Sequence, residues 1–170
     1  MIMRGWWIRR VAVAAVLVTC TAGGAVAQSA TVVLVRHAEK VDDSADPVLS
    51  EAGTARALAL ADVLADAGLT AILTTQFRRT RLTAVPAAER TGVAAEVVAA
   101  SGGGHAAAVA ARVRELADGG TILVVGHSNT VPAIIRALGG PELQIADEEY
   151  HHLFVLTLDG TGARLIRGRY

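Results

Sequence analysis

Cysteine is almost absent from this sequence. Cys20 is the single cysteine among 170 residues, so the chain cannot form an internal disulfide. It also lies in an N-terminal segment that we expect to be removed, which leaves the rest of the chain without a thiol. The scarcity of cysteine therefore excludes a disulfide-stabilised fold and a cysteine-based active site.

Basic tracts are missing as well. The sequence has 16 basic and 16 acidic residues, and removing Arg4, Arg9 and Arg10 with the N-terminal segment leaves 13 basic against 16 acidic residues. No run of lysine or arginine remains that could follow a nucleic-acid backbone, so we expect no nucleic-acid partner. There is no internal repeat, and the length suits one domain and not two.

The N-terminal segment has the order of regions found in secretory signal peptides. A basic start is followed by an apolar run at residues 11–20 and by small residues that end at Ala27. This order predicts a signal peptide over residues 1–27, one mature domain over residues 28–170, and export to the periplasm or the medium. Two alternatives would instead attach the protein to a membrane: an uncleaved anchor, for which the apolar run is short, or a lipoprotein with its lipid on Cys20.

The remaining chain alternates between apolar runs and amphipathic segments. Unbroken apolar runs at 31–35, 71–74 and 121–125 indicate buried central strands, and weaker strand patterns cover 94–99, 152–158 and 163–167, the last two around a turn at Asp159-Gly160. Helices are predicted from the N-cap Ser50 to Gly68, from Arg78 toward Arg90 with a bend or break around Pro86, over 105–117, and from Thr130 to Leu138. The pattern predicts an α/β fold, a three-layer α/β/α sandwich with a mainly parallel sheet and an antiparallel edge.

Polar side chains follow each of the three strong strands. Arg36 and His37 end the first strand, Thr75 and Arg79 follow the second, and His127 ends the third. Ligands of such sheets bind beyond the carboxyl ends of the strands, where these groups converge. One histidine there is commonly an ordinary loop residue, but two histidines together with arginines, whose planar fork suits phosphate, predict a phosphate site.

Four segments of the chain resemble one family. LVRHAEK at 34–40, DPVLSEAGTARALALADVL at 46–64, TTQFRRTRLTA at 74–84 and VVGHSNTVPAII at 124–135 are similar to segments of the histidine phosphatase superfamily, which has the phosphoglycerate mutase-like fold. Aligned on Thr83-Ala84, the phosphate-binding arginine of the family falls on Arg79 and its hydroxyl residue falls on Thr75.

The resemblance implies a metal-independent phosphomonoester hydrolase that needs no cofactor. Neutral His37 would attack phosphorus and form a phosphohistidine, which water then hydrolyses. Arg36, Arg79 and a protonated His127 would neutralise the phosphoryl oxygens. Thr75 and Ser128 would join the binding of a small phosphorylated substrate or a phosphoprotein.

The general acid of the family has no counterpart at its usual positions. In one branch a glutamate follows the third strand, where this chain has three glycines and then His105; in the other an aspartate follows the second histidine, where it has Ser128. Glu39 and His105 remain as candidates, although Glu39 could pair with an arginine and His105 could merely begin a helix. Without a strong acid, aryl phosphates or phosphohistidine would be the favoured substrates.

Two alternatives to a general phosphomonoesterase stay open. The first is a protein phosphohistidine phosphatase, and the second is a degenerate domain that binds phosphorylated ligands without turnover. The acidic run from Asp147 to Glu149, followed by Tyr150, would be a solvated face or would border the pocket. His151 and His152 are expected on opposite faces of a strand and not as a metal site.

Overall fold

The computed structural model describes residues 29–159 and 162–170. The predicted signal peptide and the turn residue Gly160 lie outside these residues. The strands are β1 (Ala30–Arg36), β2 (Leu69–Thr74), β3 (Ala95–Val97), β4 (Thr121–Gly126), β5 (His152–Asp159) and β6 (Gly162–Arg169), and the helices are α1 (Glu51–Val63), α2 (Arg78–Thr91), α3 (His105–Glu115) and α4 (Thr130–Ala137). None of the helices in the described ranges has the length and apolarity needed to cross a bilayer.

All six strands form one sheet in the order β3-β2-β4-β1-β5-β6. The first four strands in this order run parallel, and β5 and β6 add an antiparallel edge. The predicted α/β architecture and its mainly parallel sheet are confirmed. The arrangement places the carboxyl ends of β1, β2 and β4 side by side.

The unbroken apolar runs are buried on both faces of the sheet. In β1, Val33 and Val35 pack with residues of α1 and α2, whereas Val32 and Leu34 pack with residues of α3 and α4. Side chains alternate between the faces of a strand, so a strand covered by helices on both faces must be apolar throughout.

Helix α2 continues through Pro86. It runs from Arg78 to Thr91 as one element with Pro86 inside it, so of the two predicted alternatives the break is excluded and the bend stays a prediction. An interior proline costs a hydrogen bond and crowds the preceding turn. Here buried residues on both sides of Pro86, among them Ala84 and Ala87, hold the two halves against the sheet, and tertiary packing outweighs the local preference.

Helix α1 begins as predicted, because the Ser50 side chain accepts a hydrogen bond from the main-chain N–H of Gly53 at 3.1 Å. The helix ends at Val63, before Gly68, which has a left-handed φ of 63°. The Ser50 N–H also donates to the Glu39 carbonyl at 2.9 Å. The start of α1 is thereby fixed against the chain that follows His37.

Gly53→Ala is expected to lower the free energy of unfolding. A Cβ at this position would lie 2.1 Å from the carbonyl oxygen of Glu39, so helix and loop would have to separate, at a cost of about 1–3 kcal/mol. The expected loss is opposite to the gain in stability that replacing a glycine by alanine within a helix usually gives. Urea denaturation measures the effect. Gly103→Ala is the matched control, since nothing lies within 4 Å of a Cβ there; a Gly53→Ala protein as stable as the parent would contradict the expected clash.

Candidate active site

The two histidines at strand ends lie next to each other. Arg36 of β1 pairs with Gly126 of β4, and this register brings the rings of His37 and His127 to a centroid distance of 5.3 Å in an edge-to-face arrangement. Both side chains are buried. The convergence expected from the order of strands and polar residues is present in the fold.

The hydrogen bonds of His37 set its tautomer. Its Nδ1 lies 2.8 Å from the carbonyl oxygen of Ala38, which can only accept, so Nδ1 carries the proton and Nε2 keeps a lone pair. Burial, together with the charges of Arg36 and Arg79, lowers the pKa of His37 to about 4. The imidazole is therefore neutral at neutral pH, as a nucleophile must be.

His127 differs from the expectation of a protonated imidazole. Burial, followed by the proximity of His37 and Arg79, lowers its pKa to about 3. In the ligand-free cleft His127 is therefore neutral, because burial and the nearby positive charges both disfavour its protonated form. Its Nε2 lies 3.2 Å from the Thr75 hydroxyl, and its main-chain N–H donates to the Thr130 hydroxyl at 2.8 Å.

Arg36 is held by a segment far away in sequence. Its Nη1 donates to the carbonyls of Ala146 at 2.9 Å and Asp147 at 2.7 Å, and its guanidinium lies 4.0 Å from the ring centroid of Tyr150. The Nε atom is buried and has no hydrogen-bond partner among the described residues. The sequence does not identify the main-chain carbonyls that fix Arg36, since it predicts the acidic run before Tyr150 only as a solvated face or as a border of the pocket.

Arg79 stands in the first turn of α2, on the other side of the cleft. Its guanidinium lies 4.4 Å from the Phe77 ring centroid and 3.9 Å from a carboxylate oxygen of Asp46. It also reaches the carbonyl of Ala45 at 3.5 Å. These contacts are long, so most of its hydrogen-bonding capacity remains for an anion.

A cleft of about 340 Å³ joins these groups, a volume typical of small-ligand sites. Its lining comprises Arg36, His37, Lys40, Ser44, Ala45, Pro47, Arg79, His127, Ser128 and Asn129. The predicted residues Arg36, His37, Arg79, His127 and Ser128 all contribute to this wall. Lys40 adds a third cation that sequence reasoning did not assign to the site.

Thr75 lies behind the cleft wall. It is 1% exposed, and its hydroxyl contacts His127 and the Thr80 hydroxyl, the latter at 2.8 Å. Its place is that of a residue that orients His127. Ser128 lines the cleft, and its hydroxyl donates to Asp147 at 3.1 Å.

Neither candidate acid lines the cleft. Glu39 accepts three hydrogen bonds of 2.7–2.9 Å from Arg56. Burial alone would raise the pKa of Glu39, but these hydrogen bonds outweigh it and hold the pKa below its usual value. His105 is buried at the start of α3 with its Nδ1 3.1 Å from the Ala99 carbonyl. Among the described residues that line the cleft there is no aspartate or glutamate.

The buried histidines make stability depend on pH. Their pKa values in the folded protein, about 4 for His37 and about 3 for His127, lie below the ordinary value of 6.5. Below about pH 6.5 the unfolded chain therefore binds protons that the folded chain does not, and the free energy of unfolding falls as the pH drops toward 4. Urea denaturation at about pH 7.5 and 5.5 should show this loss, and His127→Gln should reduce it; an unchanged free energy in the parent would contradict the two lowered pKa values.

One group of potential metal ligands lies outside the cleft lining. Within the described residues, Glu149, His151 and His152 place their ligand atoms within 4.8 Å of one another. The expectation that the two histidines point to opposite faces is wrong, since their ring centroids are 4.3 Å apart. The reason is that β5 begins only at His152, so strand alternation does not apply to His151.

Sequence comparison finds a partial match to the same family. Residues 32–101 match the family model of the histidine phosphatase superfamily, branch 1. No protein of curated function matches the sequence. The matched residues include Arg36, His37 and Arg79, whereas His127 lies beyond them.

Solved structures with similar folds include several phosphatases. The protein histidine phosphatase SixA complexed with tungstate is 19% identical, with a TM-score of 0.65 over 82% of this chain and 96% of that chain. A mycobacterial glucosyl-3-phosphoglycerate phosphatase is also 19% identical, with a TM-score of 0.59 over 84% and 98% of the two chains. A candidate alpha-ribazole-5'-P phosphatase from Escherichia coli str. K-12 is 15% identical, with a TM-score of 0.66 over 82% and 96%. At these identities the likeness establishes the fold.

Proposed function

We propose that this chain is a phosphatase of the histidine phosphatase superfamily, whose family model matches residues 32–101, and that it hydrolyses phosphate monoesters without a metal, through a phosphohistidine on His37. One observation carries the proposal. A neutral, buried imidazole, its Nδ1 hydrogen-bonded to Ala38, lines a cleft whose wall also holds Arg36 and Arg79. A nucleophile beside fixed cations is what transfer of an anionic phosphoryl group requires.

The first step forms a bond between Nε2 of His37 and phosphorus while the bond to the leaving oxygen breaks. Arg36 and Arg79 neutralise the non-bridging oxygens during this displacement. The second step is attack by water on the phosphohistidine, which releases inorganic phosphate and restores the neutral imidazole. The positive charges of Arg36 and Arg79 beside the two histidines would repel a metal ion. This repulsion favours a mechanism without metal in the cleft.

His127 acts in this scheme after the substrate arrives. A phosphate dianion brings negative charge next to the imidazole and raises its pKa, so that His127 takes up a proton and donates a hydrogen bond to the phosphoryl group. Thr75 holds the ring from behind at 3.2 Å. Ser128 and Lys40, which line the same cleft, contribute further donors.

The substrate class follows from the cleft wall, in which none of the described residues carries a carboxyl group. Esters of poorly acidic alcohols need a proton at the departing oxygen, whereas aryl phosphates and phosphohistidine do not. We therefore favour substrates with good leaving groups. A protein phosphohistidine phosphatase is the narrower form of this proposal, and the fold shared with a protein histidine phosphatase supports it.

We also propose a place of action, on the basis of residues 1–27. Their basic, apolar and small-residue regions lead us to propose export, with membrane attachment as the alternative if the segment is retained or Cys20 is lipidated. Export would favour a small phosphorylated substrate over a phosphohistidine signalling protein, because such signalling proteins are cytoplasmic.

Hydrolysis of p-nitrophenyl phosphate by the full-length chain in the presence of EDTA tests the proposal. We expect turnover that survives EDTA, together with a trapped phosphoenzyme that is stable in alkali and labile in acid, as phosphohistidine is. Loss of activity in EDTA would overturn the metal-free mechanism. Phosphate binding without turnover or trapped phosphoenzyme would instead support the second candidate, a phospho-ligand-binding domain. The lack of a carboxyl group among the described residues of the cleft wall also favours this candidate.

A further inference from the structure

The cluster of Glu149, His151 and His152 stands apart from the catalytic groups. Nε2 of His152 lies 3.3 Å from Oε2 of Glu149, and the rings of the two histidines are tilted by 47° at a centroid distance of 4.3 Å. All three side chains are partly buried. None of them lines the cleft that holds His37.

We propose that Glu149, His151 and His152 bind one divalent transition-metal ion of the Zn²⁺ type. Two imidazole nitrogens and a carboxylate oxygen form a donor set that Zn²⁺ prefers over Mg²⁺ or Ca²⁺, which favour oxygen ligands throughout. The ligand atoms lie within 4.8 Å of one another. Small side-chain rotations would bring them to the ~2 Å distances of zinc coordination and leave a fourth position for water.

An unsatisfied atom supports the assignment. Nε2 of His151 is buried and has no hydrogen-bond partner among the described residues, although buried polar atoms in proteins are nearly always paired. A bound ion would satisfy this nitrogen. The main chain of His151 is already fixed, because its carbonyl accepts a hydrogen bond from the N–H of Tyr170 at 3.1 Å.

The surroundings also orient the carboxylate. Oε2 of Glu149 accepts a hydrogen bond from the Ala146 N–H at 2.9 Å, the kind of outer contact that holds a metal ligand in place. Arg169, the partner of His152 in the β5–β6 ladder, opposes a cation, so Glu149 is needed to offset that charge. The site thus requires all three side chains.

An ion at this place would act on the segment that holds Arg36. Ala146 and Asp147 supply the carbonyls that bind the guanidinium, and Tyr150 stacks on it. Glu149 belongs to the same short segment, and its carboxylate accepts a hydrogen bond from the N–H of Ala146 at the beginning of that segment. Metal binding would link this segment to the start of β5, so the role of the ion is structural and no catalytic step passes through it. Its removal by EDTA should lower the thermal midpoint while turnover of p-nitrophenyl phosphate continues, because the carbonyls of Ala146 and Asp147 bind Arg36 without the ion.

Equilibrium dialysis of the full-length chain against Zn²⁺, with the bound metal measured by atomic emission, tests the proposal independently of phosphatase activity. We expect one Zn²⁺ per chain and a rise in the thermal midpoint on binding. Glu149→Gln keeps an oxygen acceptor for Ala146 but removes the charge, and His152→Ala removes one ligand. Each should weaken binding by at least about tenfold while the circular dichroism spectrum stays that of a folded protein.

His37→Ala is the comparison variant, because the catalytic histidines are the other pair that could attract the ion. Unchanged Zn²⁺ affinity in His37→Ala, with the losses named above, would support the proposed ligands. Binding that is lost in His37→Ala but retained in Glu149→Gln and His152→Ala would overturn them. Absence of stoichiometric binding by the parent chain at micromolar Zn²⁺ would overturn the site itself.

Discussion

Replacing His37 with alanine is expected to lower kcat for p-nitrophenyl phosphate by about 10⁴-fold or more. The substitution removes the only nitrogen that the proposed mechanism bonds to phosphorus, and water cannot enter the same position with comparable alignment. Arg36 and Arg79 would still bind the phosphoryl group. Inorganic phosphate should therefore bind the variant with an affinity close to that of the parent, as isothermal titration calorimetry would show.

The matched control for this variant is His105→Gln, which alters another buried histidine. Since His105 does not line the cleft, we expect kcat to stay within about tenfold of the parent. A much larger loss would revive His105 as the general acid. Substantial turnover by His37→Ala, with no phosphoenzyme in either protein, would show that phosphorus is attacked by another group.

The second large effect concerns the leaving group. Because no carboxyl group of the described residues lines the cleft, kcat/KM should fall steeply as the leaving alcohol becomes less acidic. General acid catalysis typically contributes about 10²–10⁴-fold, so alkyl phosphates should react more slowly than p-nitrophenyl phosphate by at least about this factor. A series of substituted aryl phosphates and one alkyl phosphate, assayed at constant pH, measures the dependence.

Ser128→Asp is the variant that should change this dependence. It places a carboxyl group directly after His127, in the cleft wall and close to Asp147, whose hydrogen bond from Ser128 is 3.1 Å long. The new carboxyl group would line the cleft, where it could donate a proton to the departing oxygen. We expect alkyl phosphates to gain more than aryl phosphates. A parent enzyme that hydrolyses both classes at similar rates would instead show that an acid is already present.

The sheet and the positions of the main site residues could be predicted because short-range rules govern them. Runs such as 31–35 must be apolar when helices cover both faces, and the residue after a parallel strand must lie at the ligand-binding edge. Arg36, His37 and His127 follow from these two rules alone. Of the two predicted alternatives at Pro86, the break is excluded, because packing on both sides of it overrides the preference of a single residue.

Other features depend on contacts that no local pattern contains. The carbonyls that hold Arg36 belong to residues 110 and 111 positions further along the chain. The neutral state of His127 results from the combined effect of burial and several cations. The pairing of His151 with His152 depends on where β5 begins. The nature of residues 1–27 stays a prediction from sequence.

The register of β1 with β4 fixes the part of the cleft that holds His37, whereas another part of the cleft wall belongs to a loop outside the sheet. The main-chain N–H of His37 donates to the carbonyl of Gly126 at 2.9 Å, so the proposed nucleophile is continuous with the hydrogen-bond ladder at the centre of the sheet. The facing wall of the cleft comes from the exposed loop around Ser44 and Ala45. Substitutions in that loop should leave the ladder intact, so we expect them to change the choice of substrate and to leave the proposed chemistry at His37 unaltered.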